Sequence, residues 1–166
     1  MRTLAAVLPV LLLASVPVLA QEARGSLTAN GKTAALKHAI AIEVDSTTER
    51  GFMDVVVVLS DRKLTREQAV DAARLEEMAR RDGLAGLRVV LNPDAKVMSA
   101  EPLHPAFTAF VSSALWVRWQ PTAYNEKKVA GRLHSDGTRN EFKQTWSYDL
   151  NFSAPIELDP LAKTKR

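Results

Sequence analysis

Between Gln144 and Ile156, apolar and polar side chains alternate without a break. Trp146, Tyr148, Leu150, Phe152 and Ala154 share one parity, and Ser147, Asp149, Asn151 and Ser153 share the other. Successive side chains of a strand point to opposite sides, so a period of two over this length predicts a β-strand with one buried face. The stretch is expected to be the central strand of an antiparallel sheet, with its large aromatics in the core.

The same pattern runs through the earlier chain. Residues 25–29 and 32–45 flank Asn30-Gly31, and both turn residues tolerate positive φ, which predicts a hairpin. In its second arm Leu36, His38, Ile40, Ile42 and Val44 fall on one face, and Ala35, Lys37, Ala39, Ala41 and Glu43 on the other. The polar residues 47–51 turn the chain. Residues 53–59 are apolar on both faces except at Asp54, with four valines in a row, Val55 to Val58. Such a run predicts a strand covered on both sides. The second cover is expected from 65–82, read as one helix laid on the sheet. Thr65 and Gln68 make a capping box, and Gly83 stands where a helix stops. Ala69, Ala72, Leu75 and Ala79 share a side, with Glu76 intruding.

Residues 87–91 and 96–100 predict a second hairpin around Asn92-Pro93-Asp94-Ala95, where the proline presets φ. Two prolines make 101–105 a stiff crossing loop. Further strands are expected over 107–111, 115–119 and 129–134, with a loop at 123–128 and a turn at 135–138. The fold class predicted is mainly β: an antiparallel β-sandwich or open barrel of about eight to nine strands, with one helix packed on the sheet.

The first residues change the expected address. Met1-Arg2-Thr3 precedes an apolar run too short to span a bilayer, and small residues end at Ala20. These are the parts of a cleaved secretory signal peptide, 1–20. Gln21 is not the cysteine that a lipid-anchored variant would need. A single β-rich domain is expected over 21–156 and a basic tail that frays over 157–166. The product is expected to be soluble and periplasmic or secreted. Without residues 1–20 the formal charge falls from +3 to +2, which does not favour nucleic acid as a partner. The chain has no cysteine, so packing rather than disulfides must hold it, and thiol chemistry is excluded.

Certain positions also follow a recurrent arrangement. Gly25, Leu27, Gly31 and Lys32 read Gly-x-Leu-x-x-x-Gly-Lys, and Leu36, His38 and Ala39 read Leu-x-His-Ala. Gly131 and Leu133 precede Tyr148, Asp149, Phe152 and Ala154, a Gly-x-Leu strand followed by Tyr-Asp-x-x-Phe-x-Ala. In this the chain resembles small, exported, uncharacterised bacterial β-rich proteins. The resemblance implies a compact exported β-domain and carries over no catalytic residue.

Candidate chemistry is sparse. Nucleophile-elbow, zinc-protease, phosphate-loop and EF-hand patterns do not occur. His38 is expected to face the core, either as a buried ligand or base or as a neutral histidine paired to a carbonyl. The second reading carries more weight, because buried polar groups are normally paired for stability alone. His104 sits between Pro102 and Pro105, and His134 precedes Asp136 by two positions. A metal site would need His38, His104 and His134 to converge. Trp116, Arg118 and Gln120 share a strand parity and suggest an exposed platform, with Tyr124 in the adjoining loop. Its opposite is a tryptophan covered by that loop with Arg118 stacked on it. The leading expectation is a non-catalytic exported module binding an envelope or extracellular protein, a glycan or another ligand, with no cofactor. The alternatives are a histidine-based metal-dependent hydrolase and a carrier of a small apolar ligand.

Overall fold

A computed structural model describes residues 22–158. The signal segment expected over 1–20 and nearly all of the expected tail lie outside the described residues. The chain folds into a mainly antiparallel sheet of ten strands, in the order β6 (Val97–Leu103), β5 (Gly86–Leu91), β4 (Met53–Ser60), β3 (His38–Asp45), β1 (Glu22–Ala29), β10 (Gln144–Glu157), β8 (Lys128–Ser135) and β7 (Val117–Asn125), with β2 (Lys32–Ala35) beside β1 and β9 (Arg139–Glu141) beside β10. It curls into a half-barrel with two short helices on its outer side. Of the two architectures predicted, the open barrel is the one formed: one continuous sheet curls without closing, and among the described residues no second sheet stacks against it.

β10 (Gln144–Glu157) lies between β1 (Glu22–Ala29) and β8 (Lys128–Ser135), paired antiparallel to both. The alternating pattern is realised in full. Trp146, Tyr148, Leu150, Phe152 and Ala154 are buried in the inner cluster. Its last residues pair in parallel with β3 (His38–Asp45), Ile156 opposite Ala41, which tightens the curl.

Asn30 and Gly31, at φ 48° and 77°, turn β1 into β2 (Lys32–Ala35) as expected. The long second arm is not one strand. At Leu36-Lys37 the chain changes partner: Leu36 N–H bonds to the Gly25 carbonyl, and Lys37 N–H to that of Ser60. The pleat restarts at β3. Leu36 therefore enters the inner cluster, while Ile40 and Ile42 face outward under the helices. The shared face expected for Leu36 and Ile40 does not exist.

β4 (Met53–Ser60) is covered on both faces, as its valine run requires. Val55, Val57 and Leu59 point inward, and Val56 and Val58 point toward the helices. The outer cover is two helices, not one: α1 (Arg66–Val70) and α2 (Ala72–Arg81). The Thr65/Gln68 capping box forms, with Gln68 Oε1 accepting from Thr65 N–H at 2.9 Å. Asp71 breaks the run. Its backbone is extended, and its carboxylate accepts from Arg74 N–H at 3.0 Å, so it caps α2. An aspartate side chain offers the backbone a local partner in place of the helical one. Ala69, Leu75 and Ala79 lie on Ile40, Ile42, Val56 and Val58.

β5 (Gly86–Leu91) and β6 (Val97–Leu103) form the second predicted hairpin. β6 runs through Pro102, so most of the expected crossing loop is strand; Pro102 is tolerated because β6 is an edge. Residues 107–111 are not a strand: they form a turning segment with Phe107 tucked inward. β7 (Val117–Asn125) starts two residues later than expected and absorbs part of the loop placed at 123–128. β9 (Arg139–Glu141) completes a short hairpin with β10. The edges β6 and β7 face each other across the open side. Residues 104–116 cross between them, and Ser113 N–H bonds to the Ala100 carbonyl on the β6 edge.

Candidate functional site

The expected platform is not assembled. Trp116 precedes β7 and is half-buried, edge-on to Trp146 at 6.3 Å between ring centroids. The Arg139 guanidinium lies 6.0 Å from its ring, in the stacking role expected of Arg118. Arg118 instead points outward to Asp136 at 2.8 Å, and Gln120 is exposed. Tyr124 stands at the far end of β7, roughly 20 Å from Arg118 at the rise of an extended strand. The four residues therefore do not form one surface. Trp116 is a packing residue because the segment before β7 folds inward and lays its ring on the β10 aromatics.

The histidines are also separate. His38 opens β3, half-buried opposite Ser60. His134 lies on β8 between Arg118 and Asp149, and its Nδ1 contacts the Ser135 carbonyl at 3.2 Å. β1 and β10 stand between β3 and β8, three strand spacings or about 14 Å along the sheet. Asp136 pairs with Arg118 and Arg139, not with His134. Among the described residues no group of three histidines or carboxylates is placed to hold a metal ion.

His104 has a structural task. It is buried at the end of β6, and its Nδ1 accepts from Ala106 N–H at 3.0 Å. Its pKa is lowered by burial first and by Lys32 second, with Asp61 acting weakly against both. Protonating Nδ1 would destroy that acceptor. The unfolded chain takes up the proton as the pH falls below about 6.5, before the folded chain does. Stability from this group is therefore present above that pH and lost below it. Urea denaturation at pH 7 and about pH 5 should show a smaller acid loss in His104→Asn, whose amide oxygen can accept from Ala106 without titrating. An equal loss in both proteins would remove the assignment.

A concavity does form at one end of the half-barrel. Its volume is about 400 Å³, and it lies between the β3–β4 loop, the β5–β6 turn, the β7–β8 turn and the end of β10. Phe52, Met53, Val55, Pro93 and Ile156 make its apolar walls. Glu43, Tyr124, Asn125 and Glu126 supply its polar atoms. Each polar group has a local reason to be there. Glu43 shares an inward parity with Ala41 on β3 and is only 8 % exposed. Tyr124 projects from the end of β7 and donates to the Asn92 carbonyl at 2.7 Å, tying one sheet edge to the β5–β6 turn. Burial, followed by the charges of Asp54 and Glu43, pushes its pKa up to about 12. At neutral pH it is thus a hydrogen-bonding phenol and not a base. Phe52 leaves 54 % of its surface open at the rim.

Barrel mouths of this size commonly take small ligands. Beside Trp116, Trp146 and Tyr148 the interior leaves a cavity of only about 10 Å³, room for a water at most. Of the residues singled out in the sequence, Tyr124 alone lines the mouth. Phe52 carries no signal in the sequence because it lies between a polar turn and a strand, outside both patterns. Glu43 carried no signal beyond its place on the more polar face of its strand. No family model, curated protein or solved structure matches the chain.

Proposed function

We propose that this protein is an exported, non-catalytic binding module that takes a small ligand at the mouth of its half-barrel. The observation that carries this reading is the concavity of about 400 Å³, walled by Phe52, Met53 and Val55 with the Glu43 carboxylate inside it. The polar atoms of the lining are carboxylates, an amide and a high-pKa phenol, a set suited to binding. Nothing in that set couples a nucleophile to a base of matched pKa, as covalent or acid–base catalysis would require. Export is part of the proposal and rests on residues 1–20.

Native mass spectrometry on mature protein, gently purified from its export compartment, tests both parts. The expected result is a chain beginning at Gln21 that carries a small-molecule adduct. Phe52→Ala should deplete the adduct while leaving the melting temperature nearly unchanged, since Phe52 is exposed. A bare mass from the wild type, or an adduct equally retained by Phe52→Ala, would sink the reading.

A further inference from the structure

We infer that the mouth of the half-barrel takes an uncharged, apolar ligand, recognised by its carbon surface and not by an ionic group or a set of hydroxyls. The inference rests on the binding reading above and names the class of molecule bound.

The polar groups around the concavity are already committed to the chain itself. The Tyr124 hydroxyl donates to the Asn92 carbonyl. Asn125 Oδ1 accepts from the N–H groups of Lys127 and Lys128, at 3.0 and 3.1 Å, which closes the β7–β8 turn. Phe52 N–H donates to the Glu49 carbonyl, and the Phe52 carbonyl accepts from Ser46 N–H. Ile156 N–H donates to the Lys127 carbonyl at 2.9 Å. The Glu43 carboxylate is nearly buried and is not free either. Glu126 and the Asn125 Nδ2 belong to exposed residues at the rim, where they keep their water while the concavity fills.

What remains to meet a ligand is carbon: the Phe52 ring, the side chains of Met53, Val55, Pro93 and Ile156, and the face of Tyr124. Phe52 has the most to gain, because over half of its surface stands in water beside an apolar wall. Covering such a ring removes apolar area from water without disturbing a hydrogen bond. An ion or a sugar entering here would shed its water and find no uncommitted partner inside, a cost that apolar contact does not offset. A neutral hydrocarbon body has no such cost. The volume of about 400 Å³ lies at the small end of ligand sites, which suits a substituted ring or a short chain and not a long lipid.

The test is an amide-shift NMR titration of the mature protein with probes built on the same ring: ethylbenzene, phenethylammonium and phenylacetate. Glucose serves as an uncharged polar probe. Ethylbenzene should shift the amides of Phe52, Met53 and Asn125 and bind about tenfold more tightly than either ion. Glucose should leave those amides in place. Phe52→Ala should weaken ethylbenzene about fivefold, and Glu126→Gln should change it by less than about twofold. Both positions are exposed, so the variants should fold. An ion or glucose bound at the mouth as tightly as ethylbenzene would overturn the inference and leave the ligand site standing. Shifts confined to other parts of the chain, undiminished affinity in Phe52→Ala, or no shift with any probe would overturn both.

Discussion

Gly131→Ala is expected to destabilise the fold by about 3 kcal/mol or more, a loss in the range of severe overpacking. Gly131 lies on β8 facing the barrel interior, at φ +156°, a conformation that side chains rarely adopt. A Cβ there would collide with the Gln120 carbonyl and come 2.7 Å from Cζ3 of Trp119. The Trp119 ring occupies the space above Gly131 and stacks on Phe152 at 5.6 Å. The ring could tilt only by leaving Phe152. The carbonyl could move only by breaking the β7–β8 pairing opposite Pro121. Urea denaturation should show the loss as a lower midpoint with an unchanged slope. Gly137→Ala is the control. It also has positive φ, +72°, but open space around its Cβ, so it should cost only about 1 kcal/mol. Equal losses at both positions would mean that conformation, not the close approach of Trp119, governs β8.

Gln144→Leu is expected to cost about 2 kcal/mol, from the loss of several hydrogen bonds between the buried Gln144 amide and the main chain of Thr108 and Ala109. Gln144 is 2 % exposed at the start of β10. Its Oε1 accepts from Thr108 N–H at 2.6 Å, from the Thr108 hydroxyl at 3.2 Å and from Ala109 N–H at 3.4 Å. Its Nε2 donates to the Ala109 carbonyl at 2.9 Å. One side chain thus stands in for the strand neighbour that residues 107–111 lack. Leucine keeps the volume and removes the hydrogen bonds. Hydrogen exchange should speed up at Thr108 and Ala109 before the rest of the sheet opens. Phe107 and Trp116, which rest on Trp146, should loosen with them. Unchanged protection at those two amides would show that Asn30, which donates to the Ala106 carbonyl at 2.9 Å, holds the segment alone.

The structure departs from the sequence reading where apolar runs have no periodicity of their own. Residues 107–111 are as apolar as a strand, yet they turn, because Gln144 satisfies their backbone from another part of the chain. The helix splits at Asp71, a residue whose capping ability is local but whose choice between capping and continuing depends on how Ala69 and Leu75 meet the sheet. For Trp116 the covered reading outweighs the exposed one in the sequence, and the structure lays the ring half-buried against Trp146, with Arg139 from a distant part of the chain, rather than Arg118, over it.

The sequence by itself determined the local elements: the alternation of β10, the Asn30-Gly31 and Asn92–Ala95 turns, the doubly covered β4 and the Thr65/Gln68 cap. Each is written in neighbouring residues, because side-chain period, turn conformation and capping act within a few positions of the chain. Tertiary structure alone decided the change of partner at Leu36-Lys37, the curl into a half-barrel and the mouth where Glu43, Phe52, Tyr124 and Ile156 meet. Those residues come from four separate parts of the chain. No local pattern links them, and only the register of the strands brings their side chains to one place.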